Sequence, residues 1–279
     1  MIRKEQFLCK LRKLKDNGGL PKSECGNTFI AFLGPLITAN VIVEQRAGNG
    51  RRLVVRNAPT LAAFIERNFP DHEADGKLPQ RVIGVKRFRD SKAFASDNPE
   101  IVQVRGWKEN VLQRHGVPID VVGETSLHSV FSFQLGGPYS LHGRCALVEG
   151  PVMFSFFERL DLQVSLAMYG QGRLSARILN WLREQSEPEF SLLHLPDYDP
   201  VGLNDFERIR RSLGFRVQLH LPENLDELFA RYSKRELLKK RKSQILLAKL
   251  RHSDSFEVQT VVNLIDKYNA GLEQEALLS

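Results

Sequence analysis

Phe190-Ser-Leu-Leu-His-Leu-Pro-Asp197-Tyr-Asp199-Pro200-Val-Gly202 is the stretch on which the fold turns. Its short apolar run has the length of a buried strand. Two carboxylates, two residues apart, follow at the strand's carboxyl end. Pro200 and Gly202 then turn the chain into a helix that sets Leu203, Phe206, Ile209 and Leu213 on one face. Open α/β sheets place their chemistry at the carboxyl ends of strands. An upstream segment repeats the arrangement, because Cys145-Ala-Leu-Val-Glu149-Gly150 also ends an apolar strand on an acid.

Between and beyond these segments the pattern is regular. A strand at 145–148 precedes a helix with Met153, Phe156, Phe157 and Leu160 on one face. A strand at 163–168, the turn Tyr169-Gly-Gln-Gly172 and a helix carrying Leu174, Ile178, Leu179 and Leu182 come next. After the 190–195 strand and its helix, Arg216-Val-Gln-Leu-His-Leu reads as another strand. Alternating strands and helices of these lengths predict right-handed crossovers and a mainly parallel sheet with flanking helices, an α/β fold over 144–235.

The flanks differ in character. Residues 1–70 begin with a basic helix on Phe7, Leu8, Leu11 and Leu14, broken at Gly18-Gly19. A helical stretch at 29–36 follows, then two β-rich runs, Val41–Glu44 and Arg51–Val55, joined by Ala47-Gly-Asn-Gly50. Helices followed by a hairpin with basic tips predict a winged-helix-like α+β module, or equally a small packing module with no nucleic-acid contact. Residues 71–143 read as a linker and connecting region. They contain the basic segment Lys86-Arg87-Phe-Arg89-Asp-Ser-Lys92. Residues 236–279 hold Lys239, Lys240, Arg241 and Lys242, with Leu237, Leu238, Ile245, Leu246 and Leu250 as a candidate buried stripe. An apolar helix at 261–268 and Leu272-Glu273-Gln-Glu275 close the chain. The basic runs read either as solvated faces or as phosphate-facing surfaces.

Composition narrows the classes. With 279 residues, 42% hydrophobic and 26% charged, the chain has the make-up of an ordinary soluble protein with room for a sizeable core. No apolar stretch approaches the roughly 20 residues of a membrane span. Three scattered cysteines fit a reducing cytoplasm and give no zinc pattern. A net charge of +7 and a pI of 9.4 favour a polyanionic partner.

Asp197 and Asp199 suit Mg²⁺, which takes hard oxygen ligands and often uses one or two carboxylates beside water and phosphate. Glu149 either completes the metal site or serves as a general acid/base. A lone Asp-x-Asp is common on protein surfaces. Here it gains meaning because all three acids end strands of one sheet, and Gly150 and Gly202 each open the helix that follows. His194 and His220 read as core or sheet-surface residues, and Cys145 as a buried strand residue.

Val148-Glu149-Gly150, the Gly170-Gln-Gly172 turn and Asp197-Tyr-Asp199-Pro-Val-Gly202 together resemble the Toprim domain of topoisomerases, primases and nucleases. The Asp-x-Asp-Pro-x-Gly-Leu form is similar to that of topoisomerase VI A subunits and of the nuclease subunit of Wadjet-type plasmid-defence systems. Leu272-Glu-Gln-Glu275 resembles the ending of that nuclease subunit, and Gly84–Lys92 is similar to a segment of the same group. The resemblance implies Mg²⁺ or Mn²⁺ held at Glu149, Asp197 and Asp199, with Glu273 and Glu275 as further acids near the metal. It also implies phosphodiester chemistry on DNA; the charge pattern offers Lys86, Arg87, Arg89, Lys92, Lys239, Lys240, Arg241 and Lys242 as its phosphate contacts.

One departure separates the branches. Topoisomerase VI A subunits attack DNA with a tyrosine ahead of Toprim, and this chain has no tyrosine before Tyr139. A tyrosine-linked intermediate is therefore not expected, and hydrolysis is. The expected function is a metal-dependent DNA endonuclease of the cytoplasm. It would be the effector of an anti-plasmid or anti-phage defence system or of an SMC-like chromosome-organising complex, as a homodimer working with a partner ATPase. The alternatives are a non-catalytic Toprim-fold DNA-binding or assembly subunit and a phosphotransfer enzyme acting on small nucleotides.

Overall fold

Cys145 and Leu147 face one side of a sheet and Ala146 and Val148 the other, and all four are buried. Such period-2 alternation with apolar residues on both faces marks a strand covered on both sides. It lies in a computed structural model that describes residues 3–48, 50–71, 78–90, 93, 99–185 and 189–279. Contacts divide the chain into Met1–Asn98 and Pro99–Ser279.

In the first unit, helix Arg3–Asn17 buries Leu8, Leu11 and Leu14, as its spacing predicts. Strand Gly19–Pro21, helices Asn27–Phe32 and Gly34–Thr38, and the hairpin Ile42–Ala47 and Gly50–Val55 follow. The three strands form an antiparallel sheet with Gly50–Val55 in the middle. Helix Ala58–Asn68 starts where the Asn57 side chain accepts the Thr60 amide at 3.0 Å. Helix Gln80–Phe88 belongs to this unit, since Phe88 is buried edge-on against Phe69 with ring centroids 5.9 Å apart.

The second unit is built on a six-stranded mixed sheet. Its order is Val217–Leu219, Phe190–Leu195, Gly143–Val148, Leu166–Tyr169, Glu100–Gly106, Phe131–Leu135. The first four strands are parallel, and Glu100–Gly106 runs antiparallel to both of its neighbours, Leu166–Tyr169 and Phe131–Leu135. A small three-stranded sheet (117–118, 112–114, 139–141) accompanies it. Helices Ala176–Arg183 and Pro200–Leu213 cover the face carrying Cys145 and Leu147. Helix Pro151–Ser155 covers the opposite face.

The α/β reading stands in this broader form, and the division of the chain differs from the expected one. Residues 100–106 and 131–135 are sheet strands and no part of a linker, because their backbones pair with each other and with Leu166–Tyr169. Residues 236–279 are likewise built into the second unit. Helix Phe256–Tyr268 buries Val258, Val261, Val262 and Ile265 in the same core as the sheet.

Two local expectations change. Phe156 is exposed, because the predicted helix breaks there into Pro151–Ser155 and a 3₁₀ turn Phe157–Leu160. The basic segment buries Leu247 and Leu250 and leaves Ile245 60% exposed, because the helix starts afresh at Arg241 and shifts the buried face. Among the described residues, no helix is long and apolar enough to cross a membrane.

Candidate functional site

The strand order reverses beside Gly143–Val148. Its chain runs through Pro151–Ser155 to the neighbour on one side. The adjacent strand Phe190–Leu195 runs through Pro200–Leu213, on the other face, to the neighbour on the other side. Two adjacent strands whose connections diverge leave a crevice at their carboxyl ends. The ladder between them ends at Leu195↔Val148, so Glu149 and Asp197 follow at the lip of that crevice.

Alternation along the strand's extension sorts the Asp-Tyr-Asp segment. Tyr198 turns inward, fully buried, and its hydroxyl donates to the His220 carbonyl at 2.8 Å. Asp197 and Asp199 therefore fall to its other side. Asp199 caps helix Pro200–Leu213, its Oδ1 accepting from the amides of Val201 and Gly202 at 2.8 Å each. Gly202 is required here, since a β-carbon would run into the Asp197 carbonyl oxygen.

The chain returns to the same place much later. Leu272 pairs antiparallel with Tyr198, and the Gln274 amide donates to Asp197 Oδ1 at 2.9 Å. Glu273, one residue before, is ion-paired with Lys234. A β-carbon at Gly150 would sit 2.7 Å from Glu275 Oε1. All five acids named from the sequence are thus neighbours.

Their protonation reflects that crowding. Burial, then the charges of Asp197, Asp199 and Asp205, push Glu149 up to about 7, against the pull of the Asp197 backbone amide. Burial raises Asp197 to about 6. The Gln274 amide opposes this, while Asp199, Glu275 and Glu273 reinforce it. Burial also raises Asp199, opposed by the Gly202 and Val201 amides and by the positive charge of Lys240.

The donor set bears on a metal in two ways. Among the described residues, no three His, Cys, Asp or Glu side chains are arranged to hold an ion by themselves. Asp197 and Asp199 each use Oδ1 on backbone amides and have no protein donor on Oδ2 among the described residues. A few carboxylate oxygens with crowded, partly buried charge fit Mg²⁺, which fills its remaining positions with water and phosphate.

Three contributors escaped the sequence reading. Asp205, on helix Pro200–Leu213, adds a sixth acid and binds Arg208 at 2.9 Å and Arg173 at 3.2 Å. Arg173 directly follows the Gly170-Gln-Gly172 turn, so the strand-end rule that exposed the acids could have found it. Gln274 lay between two acids and, being neutral, drew no attention.

The basic residues divide. Lys86 is held by Asp71 at 2.9 Å, Arg87 by Glu5 at 3.4 Å, and Arg89 is exposed where its helix ends. Lys92 lies outside the described residues. Lys239 pairs with Glu236 at 2.8 Å. Lys240, Arg241 and Lys242 are exposed at the start of helix Arg241–Leu250, with Lys240 within electrostatic reach of Asp199.

His194 is buried beside Phe206, and its burial lowers it to about 3, so it is a neutral core residue. Cys145, pushed up to about 12 by burial, is equally inert. No protein-family model and no curated protein matches the chain.

Proposed function

We propose that the chain is a metal-dependent DNA endonuclease that hydrolyses phosphodiesters at Glu149, Asp197 and Asp199. The observation that carries this reading is the convergence of three partly buried acids at the reversal of strand order, joined there by Glu273 and Glu275. Bound Mg²⁺ or Mn²⁺ would supply positive charge to the scissile phosphate and acidify the attacking water. Asp197 and Asp199 would hold that ion through Oδ2. Glu149, pushed up to about 7 in the metal-free protein and pulled back toward the carboxylate by a bound cation, would accept the proton of the water. Lys240, Arg241 and Lys242 would neutralise neighbouring phosphates.

The resemblance to Toprim nucleases of plasmid defence supports the same reading. It extends it to a homodimeric effector working with an SMC-like or other ATPase. The first unit, with its helix–strand–helix–helix–hairpin order and Arg46, Arg51 and Arg52 at the hairpin, suits a winged-helix-like grip on the DNA backbone.

A second reading has its own support. Asp197 and Asp199 both do structural work on backbone amides, and no ready three-ligand set exists among the described residues. A DNA-binding or assembly subunit of the same fold would keep these acids for that work alone. Incubation of supercoiled and linear plasmid with Mg²⁺ or Mn²⁺, beside an Asp197→Ala/Asp199→Ala variant, separates the two. Metal-dependent cutting that the variant loses supports the nuclease. DNA binding without cutting, with and without a partner ATPase, supports the subunit.

A further inference from the structure

We propose that Gln274 is a positioning residue that clasps the two acid-bearing strand ends to each other. The part of this that concerns metal affinity rests on the reading given above; the clasp itself does not.

Gln274 is 1% exposed. A primary amide so deeply buried must find hydrogen-bond partners, and those here come from both lips of the crevice. With the amide turned so that donors meet acceptors, its side-chain oxygen accepts from the Gly150 amide at 3.0 Å and its side-chain nitrogen donates to the Leu195 carbonyl at 3.3 Å. Its backbone amide donates to Asp197 Oδ1 at 2.9 Å. Gly150 directly follows Glu149, and Leu195 lies two residues before Asp197. One residue therefore ties the end of one strand to the end of the next, just past the Leu195↔Val148 pair where their own ladder stops.

The segment that delivers Gln274 is itself pinned. Tyr198 and Leu272 exchange backbone hydrogen bonds of 2.8 and 3.1 Å, and Lys234 and Gly271 exchange bonds of 2.7 and 3.1 Å. The space is closed around it, since a β-carbon on Gly150 would come within 3.3 Å of the end of the Gln274 side-chain amide. The position asks for a side chain with one acceptor and one donor. Glutamine supplies both; a glutamate would set an acceptor against the Leu195 carbonyl and add another charge to the acids. The backbone amide of Gln274 orients the Asp197 carboxylate, and the side chain holds that amide in place through Gly150 and Leu195.

The test compares the full chain with Gln274→Ala, Gln274→Glu and Leu277→Ala. Leu277 packs against both cores of the second unit from the same terminal segment, with no assigned bond to the acids. Mn²⁺ affinity by calorimetry and thermal midpoint are measured for each. Both Gln274 variants keep the backbone amide to Asp197 and loosen only its placement, so they should lose about ten-fold in Mn²⁺ affinity, the low end of such effects, while Leu277→Ala lowers the midpoint and keeps the affinity. Wild-type affinity in Gln274→Ala, or an equal loss in Leu277→Ala, overturns the proposal.

If the unsubstituted protein binds no Mn²⁺, the metal reading fails and the clasp is decided on metal-free protein by amide exchange at Gly150. Exchange about ten-fold faster in Gln274→Ala, and unchanged in Leu277→Ala, sustains it. Unchanged exchange in Gln274→Ala overturns it.

Discussion

Val148 and Leu195 are register partners in neighbouring parallel strands, and this one pairing decides where the acids meet. A slip of one residue would flip every side chain of one strand to the other face, and the buried apolar sets on both faces forbid it. The site is thus held in place by the packing of the sheet.

Asp199 has a structural duty as well as a charge. Asp199→Ala removes the cap from Val201 and Gly202 and should cost about 1 kcal/mol of stability. Asp199→Asn keeps a capping oxygen and should be the more stable of the two. Both should lose metal-dependent cleavage. Denaturant unfolding beside a plasmid assay checks the pair, and equal stability of the two variants would refute the capping role.

The raised acids make stability depend on pH. Asp197 and Glu149 sit at about 6 and about 7 against ordinary values of 3.8 and 4.5. The folded state therefore binds their protons more tightly than the unfolded state does. Their contribution is full below the ordinary values and is lost as pH rises through 6 and 7. Metal-free protein should melt lower at about pH 8 than at about pH 5, and Asp197→Asn should flatten that slope. A melting series in EDTA across this range decides it.

Lys240 and Arg241 are exposed and make no close ion pair among the described residues, Lys240 being only within electrostatic reach of Asp199, whereas Lys86 is spent on Asp71. Removing a cation that touches a phosphate lowers the salt slope of DNA binding by about 0.9. Lys240→Ala should show that change and Lys86→Ala much less of it. Affinities measured over a salt series test the contrast, and a larger effect at Lys86 would reverse the assignment.

Two neighbouring side chains test the packing of the basic helix. Leu247→Ala should cost about 2–5 kcal/mol. Ile245→Ala, at 60% exposure, should stay within about 0.5 kcal/mol. Unfolding curves for both variants give the answer directly.

What could be read in the chain was local periodicity. Strand Phe190–Leu195 and helix Pro200–Leu213 were legible because one element's own residues carry its whole pattern. Strands Glu100–Gly106 and Phe131–Leu135 were not, because their stabilisation lies in pairing with segments tens of residues away. Helix Arg241–Leu250 was half legible. Its apolar residues were visible, but the break before Arg241 set which of them turned inward.

The site divides in the same way. Glu149, Asp197 and Asp199 are placed at strand ends by sequence alone, since an apolar run must stop where an acid begins. Tertiary structure alone decided that these strands are neighbours, that their connections diverge beside each other, and that residues 271–275 return to close over them. Local sequence encodes which backbone hydrogen bonds an element makes within itself. The meeting of Gln274 with Gly150, Leu195 and Asp197 depends on burying apolar surface across the whole unit, and no short stretch of chain carries that information.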